Sequence, residues 1–361
     1  MRKHYLDNIR WATVLLVLVY HVFYLFNGVG VLGGVGSFSK VQYQDAVLYF
    51  IYPWFMALLF LIAGISSRYA LKHRSHKQFI GERTTKLLVP STLGLFVFQW
   101  SVGYFNVKIA GAWNMLPAFL RYPIMAVSGI GPLWFIQMLW VFSLLLVLIR
   151  KIDSQDKFYT LCGKCNLFVI LFLFLPLWGA SQILNVPVIT AYRFGIYFVA
   201  FLIGYFIFSH DEIQDKVRKI HLPMLMIAAV TGIAYTVYYF GQNYTEDACL
   251  KSLFTNAYLW VAVLAILGCG KAWFNKTSRF ATYMTKSSFG IYIVHYLVVL
   301  SACYFLKLYT ALPVFAIYLI AIFLVLIIAP ALYELLKRIP ILRYLILGIK
   351  IEKSNKQVKA D

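Results

Sequence analysis

Apolar residues run through this chain in long stretches, separated by short loops that hold most of the charge. Ten such stretches stand out, at 9–26, 46–67, 87–105, 131–149, 166–184, 191–209, 223–240, 253–268, 287–306 and 314–335. Each is near the ~20 residues a helix needs to cross the ~30 Å hydrocarbon layer. Within that layer only helices and closed barrels satisfy their own backbone hydrogen bonds, and runs of this length predict helices. The predicted fold is therefore all-α, a polytopic bundle of about ten transmembrane helices over 1–335 with a basic tail at 336–361. The fifth stretch is the most interrupted, by Pro176 and polar flanks. The segment 338–350 is apolar, short and flanked by basic residues, and is expected in the interface rather than across the membrane. The first stretch has Asp7 and Arg10 at its mouth and no small-residue cleavage pattern, so it is expected to stay as a helix.

Composition agrees. Of 361 residues, 62% are hydrophobic and 13% charged, against about 25% charged in a soluble domain. No loop is long enough for a second globular domain. The net charge of +20 could signal nucleic acid, but its distribution argues otherwise. With an even number of spans, 27 of the 33 Lys and Arg residues fall on the side of the termini. The positive-inside rule then places both termini in the cytoplasm of a multi-pass cell-membrane protein, and no nucleic acid is needed. Cys162 and Cys165 form a Cys-Gly-Lys-Cys pair without a second pair to complete a zinc site, so no metal is expected and both read as reduced thiols. Cys249, Cys269 and Cys303 read as packing residues. The glycine-rich outer loop 28–36 is either a plain connector or a cover over a cavity mouth.

The polar residues inside the apolar stretches carry the candidate chemistry. Arg10 and His21 are eleven positions apart, which is three helical turns plus roughly 20°, so they share one face about 16 Å apart along the axis. Arg10 alone could snorkel, with Asp7 one turn earlier as its partner, and His21 alone could be a core histidine bonded to a carbonyl. A second imidazole, His295, lies at similar depth in Ser287-Ser288-Phe-Gly-Ile-Tyr292-Ile-Val-His295. Arg83 and Lys86, spaced i,i+3 before Pro90, put two cations at the mouth of the third span. Such a pair suits phosphates, although the positive-inside rule alone also predicts it. Trp134, in Gly131-Pro132-Leu133-Trp134-Phe135, opens the fourth span, where a tryptophan is commonly an interface anchor.

Taken in order, these pieces resemble the transmembrane acyltransferase family three, acyl-coenzyme A-dependent O- and N-acyltransferases. Leu6-Asp7-Asn8-Ile9-Arg10 with His21 resembles its first-helix pattern, a basic residue and a histidine with ten residues between. Phe60-Leu-Ile-Ala-Gly64-Ile-Ser66-Ser67 resembles its second-helix end, and Arg83-Thr-Thr-Lys86-Leu-Leu-Val-Pro90 its basic pair and proline. Pro132-Leu-Trp134-Phe135 and Ser288-Phe-Gly-Ile-Tyr292-Ile-Val-His295 resemble later signatures. Two departures stand out. Lys86 replaces the usual second arginine and lacks its bidentate fork. Gly131-Pro132 stands where many members carry a histidine.

The resemblance implies a cytoplasmic acyl-coenzyme A donor, with Arg83, Lys86 and Arg10 at its phosphates and the pantetheine arm reaching toward His21. His21 would be the general base, Asp7 would orient Arg10, and His295 would position the acceptor or stabilise the developing oxyanion. Trp134, Ser288 and Tyr292 would support the site. The acyl group would be acetyl, succinyl or longer, and the acceptor a glycan, a glycolipid or a small hydroxyl compound. Direct transfer and an acyl-histidine intermediate both stay open, as do monomer and homodimer. The alternative is a transporter or flippase that uses the intramembrane Arg and His groups as a substrate path. Thioester turnover separates the two.

Overall fold

The computed structural model describes residues 3–29, 34–184 and 193–350. Residues 30–33 of the outer loop, the first two residues of the sixth expected stretch and the tail beyond 350 lie outside the described residues. The described chain is all-helical, with no β-strand. Among the described residues, eight helices are long and apolar enough to cross a membrane. They are α1 (His4–Leu25), α2 (Tyr43–Leu71), α3 (His76–Ile109), α4 (Gly131–Ile152), α8 (His221–Tyr239), α9 (Leu253–Trp273), α10 (Arg279–Tyr309) and α11 (Val314–Arg338).

The fifth and sixth expected stretches are helical, but neither forms a helix of spanning length. The fifth is the apolar segment α5 (Leu167–Ser181), and it contains Pro176. The sixth is α6 (Phe194–Phe206), followed after a bend of 106° by the amphipathic helix α7 (Asp211–Lys219). Asp211 and Glu212 in the first turn of α7, with Lys216, Arg218 and Lys219 in its last, match the helix dipole and cannot continue an apolar span. Thirteen residues of α6 rise only about 20 Å. α6 is largely buried in the bundle, where neighbouring helices rather than lipid complete its surroundings.

Small residues allow two helices to meet at backbone contact. α2 and α6 cross at Gly64 and Gly204, where a Cβ on Gly64 would stand 2.0 Å from the Phe201 carbonyl oxygen and one on Gly204 2.0 Å from that of Leu61. Without an apolar drive between helices in lipid, such backbone approach supplies much of the packing. This places the end of α2, Ser66-Ser67-Arg68, beside the first turns of α3.

The loops sort as the alternation of spans requires. On the side of the termini, Lys3 pairs with Asp211 and donates to Gln214 at 2.8 Å, while Asn8 donates to the carbonyls of Phe274 and Lys276 at 2.6 and 2.7 Å. Nearby, Arg68 holds Asp156 through both guanidinium nitrogens at 2.9 and 3.0 Å, and Arg150 pairs with the same carboxylate. On the opposite side, Asp45 accepts from the Gly28 amide at 2.9 Å and from Gln42 at 2.8 Å, and Trp178 donates to the Lys251 carbonyl at 3.0 Å. Arg193 is buried there and donates to Leu250 O and Asn256 Oδ1 at 3.0 and 3.2 Å.

The tail is described as far as Lys350. It forms a short helix, α12 (Pro340–Leu347), which packs on the Val89–Gly94 part of α3 and brings Gly348, Ile349 and Lys350 to the wall of a cavity.

Candidate functional site

That cavity has a volume of about 830 Å³ and opens at the end of the bundle that carries the termini. Arg10, Arg74, Arg83, Lys86, Lys286 and Lys350 stand around it, with Glu82 as an acidic member of the lining. Its lining continues inward through Val14, Leu59, Ala63, Ser288, Phe135 and Tyr292. Polar groups thus collect at the mouth, and the lining becomes apolar and aromatic with depth.

Local structure explains how the mouth is held. Arg10 sits one turn beyond Asp7, which it meets at 3.0 Å, and it also reaches Ser66 Oγ at 3.5 Å. Arg83 donates to Ser67 Oγ at 3.0 Å. The two serines at the end of α2 therefore anchor a guanidinium each, one from α1 and one from α3. Immediately after Arg83 the helix widens into a π turn, Thr84–Leu88. Such bulges concentrate at functional sites because they re-aim side chains without ending the helix. Here the turn is pinned from α4, where Trp140 donates to Thr84 Oγ1 at 3.0 Å and Gln137 to the Ser91 carbonyl at 2.8 Å. Despite the changed helical pitch, Arg83 and Lys86 both face the cavity. Arg10 and Arg74 lie within electrostatic reach of Arg83, opposed by Glu82 and Asp7. Three guanidiniums gathered in a cleft suit a polyanion.

His21 and His295 meet across α1 and α10, with His295 Nε2 3.3 Å from His21 Nδ1 and ring centroids 5.1 Å apart. The hydrogen bonds assign both tautomers. His295 Nδ1 faces the Tyr292 carbonyl at 2.5 Å, and His21 Nδ1 faces that of Val17 at 2.8 Å. A carbonyl only accepts, so each Nδ1 carries the proton. His295 Nε2 is then an acceptor for His21 Nδ1–H. This leaves the His21 Nε2 lone pair without a hydrogen-bond partner among the described residues. His295 is fully buried and His21 partly exposed. Tyr20, Tyr24 and Tyr296 surround His21, with centroids 5.6, 6.1 and 5.1 Å from its ring.

Tyr292 links the two clusters. Its ring lines the cavity, its carbonyl fixes His295, and its hydroxyl donates to the Pro132 carbonyl at the start of α4. Ser288 lines the cavity as well. Trp134 stands apart from the lining; it is buried and stacks on Tyr197 at 5.7 Å beside Phe60. The lining does not include His21, which lies two helical turns beyond Val14. The end of the cavity is formed instead by Val14, Leu59, Phe135 and Tyr292.

The sequence reading did not single out Arg74, Glu82, Lys286, Tyr333 and Lys350, which complete the cleft. It also missed the Arg68–Asp156–Arg150 knot, where the Arg68 guanidinium also stacks 3.6 Å from the centre of the Tyr159 ring. Basic loop residues look alike in sequence, and nothing local distinguishes those that turn inward. Among the described residues no group of three or more His, Cys, Asp or Glu side chains could hold a metal ion.

Comparison with known proteins follows the same outline. The profile of the acyltransferase domain family matches residues 3–334. The chain is 25% identical over 377 residues to the glucans biosynthesis protein C of Salmonella typhi and to that of Salmonella typhimurium, covering 96% of this chain and 95% of each relative. The protein of that name from Salmonella paratyphi B is 24% identical over 380 residues, with the same coverage. No solved structure matches.

Proposed function

The chain belongs to acyltransferase family three and is a membrane acyltransferase, and from that premise we propose that it takes its acyl group from an acyl-coenzyme A held at the Arg10–Arg83–Lys86 mouth and delivers it to a glycan hydroxyl, with His21 as general base. The observation that carries this reading is one cavity with guanidiniums at its mouth and, at its inner end, Tyr292, the residue that holds His295 against His21. The relatives are named for glucan biosynthesis, which supports a glycan over a lipid or small-metabolite acceptor. Acetyl and succinyl both fit an acyl group that must pass the narrow inner end.

In this mechanism the donor phosphates rest among Arg10, Arg83 and Lys86, and the pantetheine arm follows the apolar lining inward. Displacement of the Phe135 and Tyr292 rings opens the last stretch to the imidazole. His21 Nε2 removes the acceptor's hydroxyl proton as its oxygen attacks the thioester carbonyl. The carbon–sulfur bond then breaks and the coenzyme A sulfur leaves, taking the proton from His21. While His21 is charged, His295 Nε2 accepts its Nδ1–H and stabilises the imidazolium, as an orienting partner does in a catalytic triad. Asp7 keeps Arg10 turned into the cleft.

Removing one cation from the mouth tests the donor site. Arg83→Ala is expected to weaken acyl-coenzyme A binding roughly tenfold or more, the worth of a charge-assisted contact. Unchanged affinity, measured by titration of the purified protein, would leave the basic loops with a topological role alone. The reading also requires the mouth to face the cytoplasm, with both termini inside the plasma membrane. Alkaline phosphatase fused after Lys350 should be inactive in cells and active when fused after Lys40. An active Lys350 fusion would reverse the orientation.

A further inference from the structure

Three residues of the cleft, Arg10, Ser66 and Arg74, also line a second cavity of about 860 Å³ at the same end of the bundle. This cavity is polar where the first becomes apolar. Lys3, Lys72 and His73 line it together with the shared arginines, and its remaining walls include Tyr69, Tyr159 and His210. Its two carboxylates are already engaged, Asp7 by Arg10 and Asp211 by Lys3. Lys72 and His73 are exposed and have no ion-pair partner among the described residues. The two cavities therefore lie side by side, each with its own basic group, and Arg10, Ser66 and Arg74 form the wall they share.

We propose that the second cavity holds the 3′-phosphorylated nucleoside of the donor, while the first holds the diphosphate and the pantetheine arm. The inference rests on the acyl-coenzyme A reading above and divides that ligand between the two basins. Coenzyme A carries its negative charge in two places, a diphosphate and a separate phosphomonoester on the ribose. The first cluster, Arg83 and Lys86, matches a diphosphate at the entrance to an apolar shaft. The second, Lys72 and His73 with Lys3 and Arg74, belongs to a chamber lined mainly by polar side chains, which suits a terminal phosphomonoester better than an apolar chain that must continue inward. A compact cation and an imidazole satisfy a phosphomonoester's rotating oxygens without the planar fork of an arginine. The enzyme is thereby specific for donors with a 3′-phosphate, and Lys72 and His73 determine that specificity.

The experiment is a binding comparison in phosphatidylcholine nanodiscs, so that no anionic lipid headgroup competes. Coenzyme A and 3′-dephospho-coenzyme A are titrated into the wild type, the double variant Lys72→Ala/His73→Ala, the charge reversal Lys72→Glu, and Lys77→Ala, a nearby exposed lysine outside both cavities. The wild type should bind coenzyme A roughly tenfold or more tightly than its dephospho form. The double variant and Lys72→Glu should each bring the two affinities to within about threefold, mainly by weakening coenzyme A, and Lys77→Ala should keep the wild-type ratio. A wild type without discrimination would overturn the proposal, as would discrimination that survives both Lys72 variants or falls equally with Lys77→Ala. If neither nucleotide binds the wild type, the acyl-coenzyme A reading fails and this inference fails with it.

Discussion

Replacing His21 with alanine should lower acyl transfer by roughly 10²–10⁴-fold, the usual contribution of a positioned general base, while donor affinity stays within about twofold. The split follows from position. His21 is two helical turns beyond the deepest residue that α1 contributes to the cleft, Val14, so its imidazole adds nothing to phosphate binding. His295→Ala should also lower turnover, but less, because His295 is expected to act through His21 Nδ1 and not on the acceptor. Coenzyme A release and the acyl mass on cell-surface glycans read the rate, and nucleotide titration reads the affinity. A His21→Ala protein that still transfers acyl groups at the wild-type rate would remove the imidazole from the chemistry. One that lost donor binding in parallel with rate would move His21 from catalysis to the donor pocket.

A comparably large effect, on the fold itself, is expected from Gly204→Val. The α2–α6 crossing has no space for a side chain, since even a Cβ at residue 204 would be 2.0 Å from the Leu61 carbonyl oxygen. The obstacle is backbone, which cannot rotate aside as a flexible side chain would. The helices must separate, and overpacking of this kind costs at least about 1–3 kcal/mol before lost neighbouring contacts are counted. Separation would also carry Ser66 and Ser67 away from Arg10 and Arg83. The variant should therefore unfold at lower temperature in detergent and elute as aggregate on size exclusion. A Gly204→Val protein as stable as the wild type would show that α2 and α6 are not held at backbone contact.

Most of the architecture was legible in the chain because the bilayer permits so few solutions. Eight of the ten stretches are helices of spanning length, and the loop residues meet one another as the alternation demands. The sixth stretch ended early for a reason hydropathy windows do not weigh: Asp211 starts a new amphipathic helix after a bend, so the apolar count overran the element. In the site, the periodicity argument put Arg10 and His21 on one face of α1, and depth brought His295 level with His21. The structure supplies what those arguments lack, a partner: His295 Nε2 touches His21 Nδ1. The pairing of Arg83 with Ser67 was not legible, because an i,i+3 spacing assumes regular α-helix and the chain widens into a π turn one residue later. Lys350 was missed for a different cause. A short basic-flanked helix reads as interfacial from composition, whereas its docking on α3 depends on a tertiary surface.

The π turn at Thr84–Leu88 amounts to a phase shift within a continuous rod. One added residue leaves the hydrogen-bonded ladder unbroken yet rotates everything beyond it by about 100°. Trimming a single residue from this stretch would thus leave α3 intact as a membrane-crossing cylinder but turn Ser91 from Gln137 and the flank of α3 from the tail helix. The lesion would be one of bearing, leaving helix content and hydropathy almost as they were.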